Sequence, residues 1–268
     1  MKRIIMCAYA FILAATVFSG EKVEPLSGKV SFEKGKVGKS AVFNGVDKLR
    51  YSAEYLKANA GTIEMWVLPN PTDRDSFQFL FSAGSNNPLW FMSGLGNGEI
   101  VFHYSKKNPE KKYDFYSDIR NKTNLLKAGE WHHLAFVWAF RKSSECLMQI
   151  YVDGQLKEEK WDLSIGDKWD DTDKSFAVGF NSASVTAPAF KGQVDELRIS
   201  NHPKLPSQIK ACFEKGGRGE PLSPESGTLL LLNFDDSVAG LSSTRDAETQ
   251  ENITKAAEKI MDELYPKK

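Results

Sequence analysis

The sequence predicts an all-β fold, a two-sheet antiparallel β-sandwich followed by a C-terminal helix. Between Ser40 and Asn233 it runs in short, half-alternating stretches rich in Val, Ile, Phe, Trp and Tyr, separated by Gly, Asn, Asp and Pro. That is the pattern of strands with one buried face and frequent turns. Helical periodicity is nearly absent over the same span. The 268 residues, 41% hydrophobic and 12% aromatic, are enough for the core of one large β-domain.

Met1-Lys2-Arg3 precedes an apolar run, residues 4–18, too short to cross a bilayer as a helix but suited to the core of a signal peptide. Val17 and Ser19 are small residues at the spacing a signal peptidase accepts. Residues 1–20 are therefore expected to be removed, leaving a domain over 21–240 that is secreted, periplasmic or held at the cell surface. No later stretch is long and apolar enough to span a membrane.

Strands are expected at 41–43, 62–68, 78–82, 89–92, 100–104, 132–140, 148–152, 155–159, 176–179, 192–200 and 228–232. Asp153-Gly154 tolerates the positive φ angles of a tight hairpin turn, so it joins the strands on either side of it. Gly94, Gly96 and Gly98 lack the third glycine and following helix of a dinucleotide fingerprint, and are expected to form a plain turn. The lysine-rich run 106–112 is expected to be a solvated loop. Pro203, Pro206 and residues 207–213 predict a short helical turn before a Gly/Pro-rich crossing. Residues 229–232 are all Leu, as in a strand buried on both faces. Beyond Gly240, Ile253, Ala257, Ile260, Met261 and Leu264 recur at helical spacing, which predicts an amphipathic tail over 241–268.

Lys and Arg total 35, as do Asp and Glu, which argues against a nucleic-acid-binding surface or a polybasic membrane anchor. Cys146 and Cys212 can form at most one disulfide in the mature chain, and adjacency cannot be judged from sequence. Adjacent His132 and His133 are expected to splay to opposite faces of a strand, which defeats a two-histidine zinc site there. No nucleophile elbow and no C-x-x-C pair occurs. Trp66, Trp131 and Phe43 are expected to fill the space between the sheets, each contributing on the order of 2–3 kcal/mol when buried.

Four segments in order resemble the laminin-G-like domains of the concanavalin A-like lectin/glucanase superfamily. They are GKVGKSAVFNGVD from Gly35, GTIEMWVLP from Gly61, GEWHHLAFV from Gly129 with IYVDG from Ile150, and FKGQVDELRIS from Phe190. The resemblance covers about two-thirds of the mature chain and implies the concanavalin A-like jelly roll. Family members commonly begin with a strand of the type Leu-Leu-x-Phe-Asp, whereas here LLLNFDD from Leu230 stands at the end. It is expected to fill the same slot beside the Asp195 strand.

The resemblance also implies a structural calcium ion at Asp195, with Asn44, Asp47 and Asp235 as candidates to join it. Calcium takes six to eight oxygen ligands, and strand ends supply them. The alternative is that Asp195 caps a backbone turn or pairs with Arg198. Laminarinase-like enzymes of the superfamily carry a Glu-x-Asp-x-x-Glu motif, which is missing here. Asp195 and Glu196, as strand neighbours, are expected to point to opposite faces. Sugar rings stack on exposed aromatics, which makes Trp161 and Trp169, then Trp90 and Tyr104, the candidate ligand contacts. Their alternative role is to cover apolar surface. The expected function is a secreted, non-catalytic module that binds carbohydrate or an extracellular protein. The alternatives are a glycan-active hydrolase or lyase with dispersed acids, and a structural surface or assembly protein.

Overall fold

The computed structural model describes residues 21–56, 60–70, 77–83, 89–94, 100–106, 115–121, 125–140, 146–162, 175–181, 189–242 and 262. In chain order the strands are β1 (Glu21–Val23), β2 (Ser27–Lys29), β3 (Ser31–Lys34), β4 (Lys39–Asn44), β5 (Lys48–Ser52), β6 (Ala60–Pro69), β7 (Phe77–Ala83), β8 (Leu89–Gly94) and β9 (Ile100–Lys106). They continue as β10 (Phe115–Asn121), β11 (His132–Phe140), β12 (Cys146–Val152), β13 (Gln155–Asp162), β14 (Ser175–Val178), β15 (Lys191–Ser200), β16 (Thr228–Leu232) and β17 (Gly240–Ser242). Helix α1 (Pro206–Gly217) lies between β15 and β16.

The larger sheet has the order β1-β17-β16-β15-β6-β11-β12-β13, with β4 paired to β15 and β3 to β4; the smaller runs β10-β9-β8-β7-β14-β5-β2. Between them lies the core, built by the residues that alternate inward. Ile63, Met65 and Val67 of β6 meet Phe136 and Trp138 of β11, and from the other sheet Tyr51, Phe81, Phe102 and Phe176. Phe176 stacks on Phe81 and Tyr51, with ring centroids 5.1 and 5.4 Å away.

All eleven expected strands are present, and β12 and β13 are joined at Asp153 (φ 50°) and Gly154 (φ 74°), the two positive values of a type I′ hairpin. β16 lies antiparallel beside β15, with Leu197 opposite Leu232, and all five of its residues are buried. The Leu-rich strand therefore lies beside the strand that carries Asp195. Six strands were not foreseen: β1, β2, β3, β5, β10 and β17. Because β17 holds residues 240–242 against β1 and β16, the sandwich extends past residue 240. Of the expected tail helix only Asp262, which is helical, is among the described residues.

The expected core trio is also corrected. Phe43 is between the sheets. Trp66 is buried, but on the opposite face of β6 from Ile63, Met65 and Val67, where α1 covers it through Phe213 at a centroid distance of 5.7 Å. Trp131 is only half-buried, because it precedes β11 in the turn. Cys146 and Cys212 are both free thiols, the first in the core and the second on α1. Among the described residues no helix is long and apolar enough to cross a membrane.

Candidate functional site

The outer face of the larger sheet carries its polar chemistry in two places, one sealed under α1 and one open. Under the helix, Glu64 of β6 is fully buried, and Arg198 of β15 donates to its Oε1 from Nε (2.9 Å) and Nη2 (2.7 Å). Lys204 Nζ stands 3.2 Å from the same oxygen, and His133 Nε2 is 3.3 Å from Oε2. Arg198 also donates to the Ser223 carbonyl at 2.8 Å, and its Nη2 lies 3.0 Å from Cys212 Sγ. Burial opposes ionisation of Glu64, but the charges of Arg198 and Lys204 override it and hold its carboxyl well below the usual carboxylate range. Burial pushes the Cys212 thiol up to about 11, so it is an unreactive thiol at neutral pH. These groups fasten the segment carrying α1 to the sheet.

The open place is a cavity of about 280 Å³ at the end of the sheet where β6 finishes. Its apolar wall comes from Val42, Leu68 and Pro69, and its polar wall from Glu33, Asn70 and Gln193. Among the described residues Gly129, Gly192 and Phe43 complete it. Strand alternation places Val42, Leu68 and Gln193 here, because their neighbours Phe43, Val67 and Val194 face the core. Gly192 has a φ of 147°, and a Cβ on it would come within 2.2 Å of the Leu68 carbonyl oxygen. Only glycine fits that wall.

The turn bearing Gly129 is pinned. Its N–H donates to Pro69 O at 2.9 Å, and Lys127 N–H donates to His132 Nε2 at 2.9 Å. Because Nε2 accepts, His132 carries its proton on Nδ1, which faces Asp153 Oδ2 at 2.9 Å. Asp153 also accepts from His133 N–H at 2.9 Å. His132 and His133 thus serve opposite sides of β11, as expected.

The four residues considered for calcium do not come together. Asp195 Oδ2 accepts from Val37 N–H at 3.0 Å and its Oδ1 from Glu196 N–H at 2.9 Å, while Asp235 Oδ1 accepts from Lys39 N–H at 2.9 Å. Both clamp the turn between β3 and β4. Asn44 pairs with Lys191, four residues before Asp195, which is roughly 13 Å along an extended strand. Its Oδ1 accepts from Val46 and Asp47 N–H at 3.0 and 3.1 Å, closing its own turn. One ion with ligands at about 2.3–2.6 Å cannot reach both ends, so the four do not fit a single site. Among the described residues no group of three or more His, Cys, Asp and Glu side chains is arranged to hold a metal ion.

Asp195 caps a backbone turn, and Arg198 pairs with Glu64 instead. A bulge between Asp195 and Arg198, with Glu196 at φ 50°, breaks the strand alternation there. Asp195 and Glu196 are consequently not kept electrically apart. Burial pushes Asp195 up to about 7, with Asp235 adding to the rise, and pushes Glu196 up to about 8, with Asp195 adding. Both are buried, so no polysaccharide reaches them. An acid whose pKa is raised on folding holds a proton that the unfolded chain has released, so stability falls as pH rises from about 4 to about 8. Glu196→Gln removes one of these groups. Its unfolding midpoint relative to wild type is expected to rise progressively between pH 5 and pH 8.5, and a difference constant across that range would refute the assignment.

Of the aromatic candidates, Trp161 is half-buried against Ala60, Ala139 and Leu147, at the far end of the sheet from the cavity. That is the covering role. Trp90 lies opposite His103, and Tyr104 opposite Leu89, in the β8–β9 ladder of the smaller sheet. Trp169 lies outside the described residues. The cavity residues Glu33, Asn70 and Gln193 were not anticipated, since the only signal for them was that 193 and 68 alternate with core positions.

Two antiparallel sheets in this order, packed face to face, make the protein a concanavalin A-like jelly roll. The chain belongs to the Laminin_G_3 family of the concanavalin A-like lectin/glucanases superfamily, matched over residues 43–210. Among solved structures it is similar to domain 4 of AbnA, a GH43 extracellular arabinanase from Geobacillus stearothermophilus, in complex with arabinotriose. The identity is 23% and the TM-score 0.52, over 74% of this chain and 90% of that one. It is also similar to the botulinum neurotoxin serotype G binding domain, at 12% identity and a TM-score of 0.54 over 79% of this chain. The match spans 52%, about half, of that domain's length. No curated protein matches the sequence.

Proposed function

We propose that the protein is an exported, non-catalytic module that binds a glycan in the cavity at the end of β6. The observation that carries this reading is the cavity itself, in which polar side chains face an aliphatic wall on a rigid sheet. Its volume of about 280 Å³ is close to the lower bound of small-molecule sites, about 300 Å³, which suits one sugar-sized unit. The arabinotriose bound to the arabinanase domain supports glycan as the ligand class on this fold.

A hydrolase needs two carboxyl groups flanking the scissile bond. Among the described residues Glu33 is the sole carboxylate lining the cavity, and the acid pair at Asp195 and Glu196 is buried elsewhere. A glycan array with the processed protein is expected to show retention of at least one oligosaccharide class, with no reducing ends released from the corresponding polysaccharide. Release of reducing ends would replace this reading with the enzymatic one. Absence of retention across the array would remove it.

A further inference from the structure

We infer that Glu33, oriented by Gln193, reads sugar hydroxyls in this cavity and selects uncharged units with adjacent hydroxyls over acidic ones. The inference rests on the glycan-binding reading above. Ser40 is fully buried, and its hydroxyl donates to Gln193 Oε1 at 2.7 Å. This turns the amide nitrogen toward Glu33, whose Oε2 accepts from Nε2 at 3.2 Å. A flipped amide would set its oxygen against the carboxylate, so the relay from Ser40 has one stable orientation.

Glu33 extends from the β3 edge with Oε2 anchored, and among the described residues no donor reaches its Oε1. A carboxylate held this way accepts from neighbouring hydroxyls, and such charge-assisted bonds are about twice as strong as neutral ones. The aliphatic wall of Val42 and Leu68 offers contact to the C–H face of the same ring. Among the described residues Glu33 is also the only charged side chain lining the cavity. A uronate or sialate would place a second carboxylate beside this exposed one, a like-charge contact that is disfavoured at close range and that added salt weakens.

The test is isothermal titration of wild type, Glu33→Gln and Glu33→Lys with neutral arabino-, xylo- and gluco-oligosaccharides and with galacturonate oligomers and sialyllactose. Shifts of the Gly129 and Gly192 amide signals in NMR spectra locate the bound probe. Wild type is expected to bind a neutral probe at least about tenfold more tightly than the acidic ones. Glu33→Gln is expected to weaken the neutral probe about tenfold or more at an unchanged unfolding midpoint, and Glu33→Lys to reverse the preference. If a glycan binds but Glu33→Gln leaves affinity unchanged, if acidic and neutral probes bind alike, or if the shifts fall elsewhere, this inference is overturned while the glycan reading stands. If wild type binds none of these probes, this inference is overturned, and if the glycan array is also blank, the glycan reading falls with it.

Discussion

Arg198→Ala is expected to lower the unfolding midpoint by about 6–20 °C, the equivalent of ~3–5 kcal/mol in a domain of this size. The size of the effect comes from what is left behind. Glu64 is fully buried and loses two hydrogen bonds at 2.9 and 2.7 Å. Lys204 remains at 3.2 Å, but it is shared with Glu225. The Ser223 carbonyl also loses its donor. An uncompensated buried carboxylate costs far more than an exposed pair gains. Lys210→Ala is the control. It breaks only the solvent-exposed contact with Glu214 on the surface of α1, and pairs of that kind contribute little to stability. Differential scanning calorimetry of the two variants decides the point, and a midpoint for Arg198→Ala within a degree or two of Lys210→Ala would refute it.

Trp66→Ala is expected to cost about 3–5 kcal/mol, and Trp131→Ala less than half of that. Trp66 is 1% exposed and lies between the sheet and α1. Phe213 stacks on it at 5.7 Å, and the ring of His133 lies 5.3 Å away. Gly216 rests so close that a Cβ there would come within 2.5 Å of the indole nitrogen. Removing the indole leaves a void that a rigid strand and a fastened helix cannot close. Trp131 is half-buried in a turn, where truncation leaves no sealed cavity. Urea denaturation of the two variants separates these cases, and equal midpoints would show that α1 does not enclose Trp66 as described.

The strand positions were legible because alternation and turn residues are local signals. β4, β6, β11, β12 and β15 were all found this way. Of the strands that were missed, β1 pairs with β17 from the other end of the described chain, whereas β3 and β10 are edge strands of local hairpins. β2 is exposed throughout and β3 nearly so, so neither shows an apolar face. β5 did alternate, with Leu49 and Tyr51 buried between Lys48, Arg50 and Ser52, and its five residues carried a signal that passed unread. The face on which Trp66 lies was also readable in principle. Ile63, Met65 and Val67 occupy one side of β6, so Trp66 must occupy the other, and Ile209 and Phe213 on α1 need a surface to cover.

The site was much less legible. Glu33 and Gln193 are 160 positions apart and meet only because β3, β4 and β15 lie side by side. The bulge at Glu196 likewise depends on tertiary context, and Arg198 beyond it pairs with Glu64, its partner in the β6 ladder, rather than with Asp195.

The sheet that carries the cavity draws on both extremes of the described chain. Glu21 of β1 pairs with Ser242 of β17, and Asp235 clamps Lys39 in the first hairpin. Until β16 arrives, Leu197 and Ile199 belong to a strand with half of one edge unpaired. The first two hundred residues therefore hold every strand of the smaller sheet but leave the larger one without β16 and β17, and the long sequence separation of these pairings makes the final closure slow.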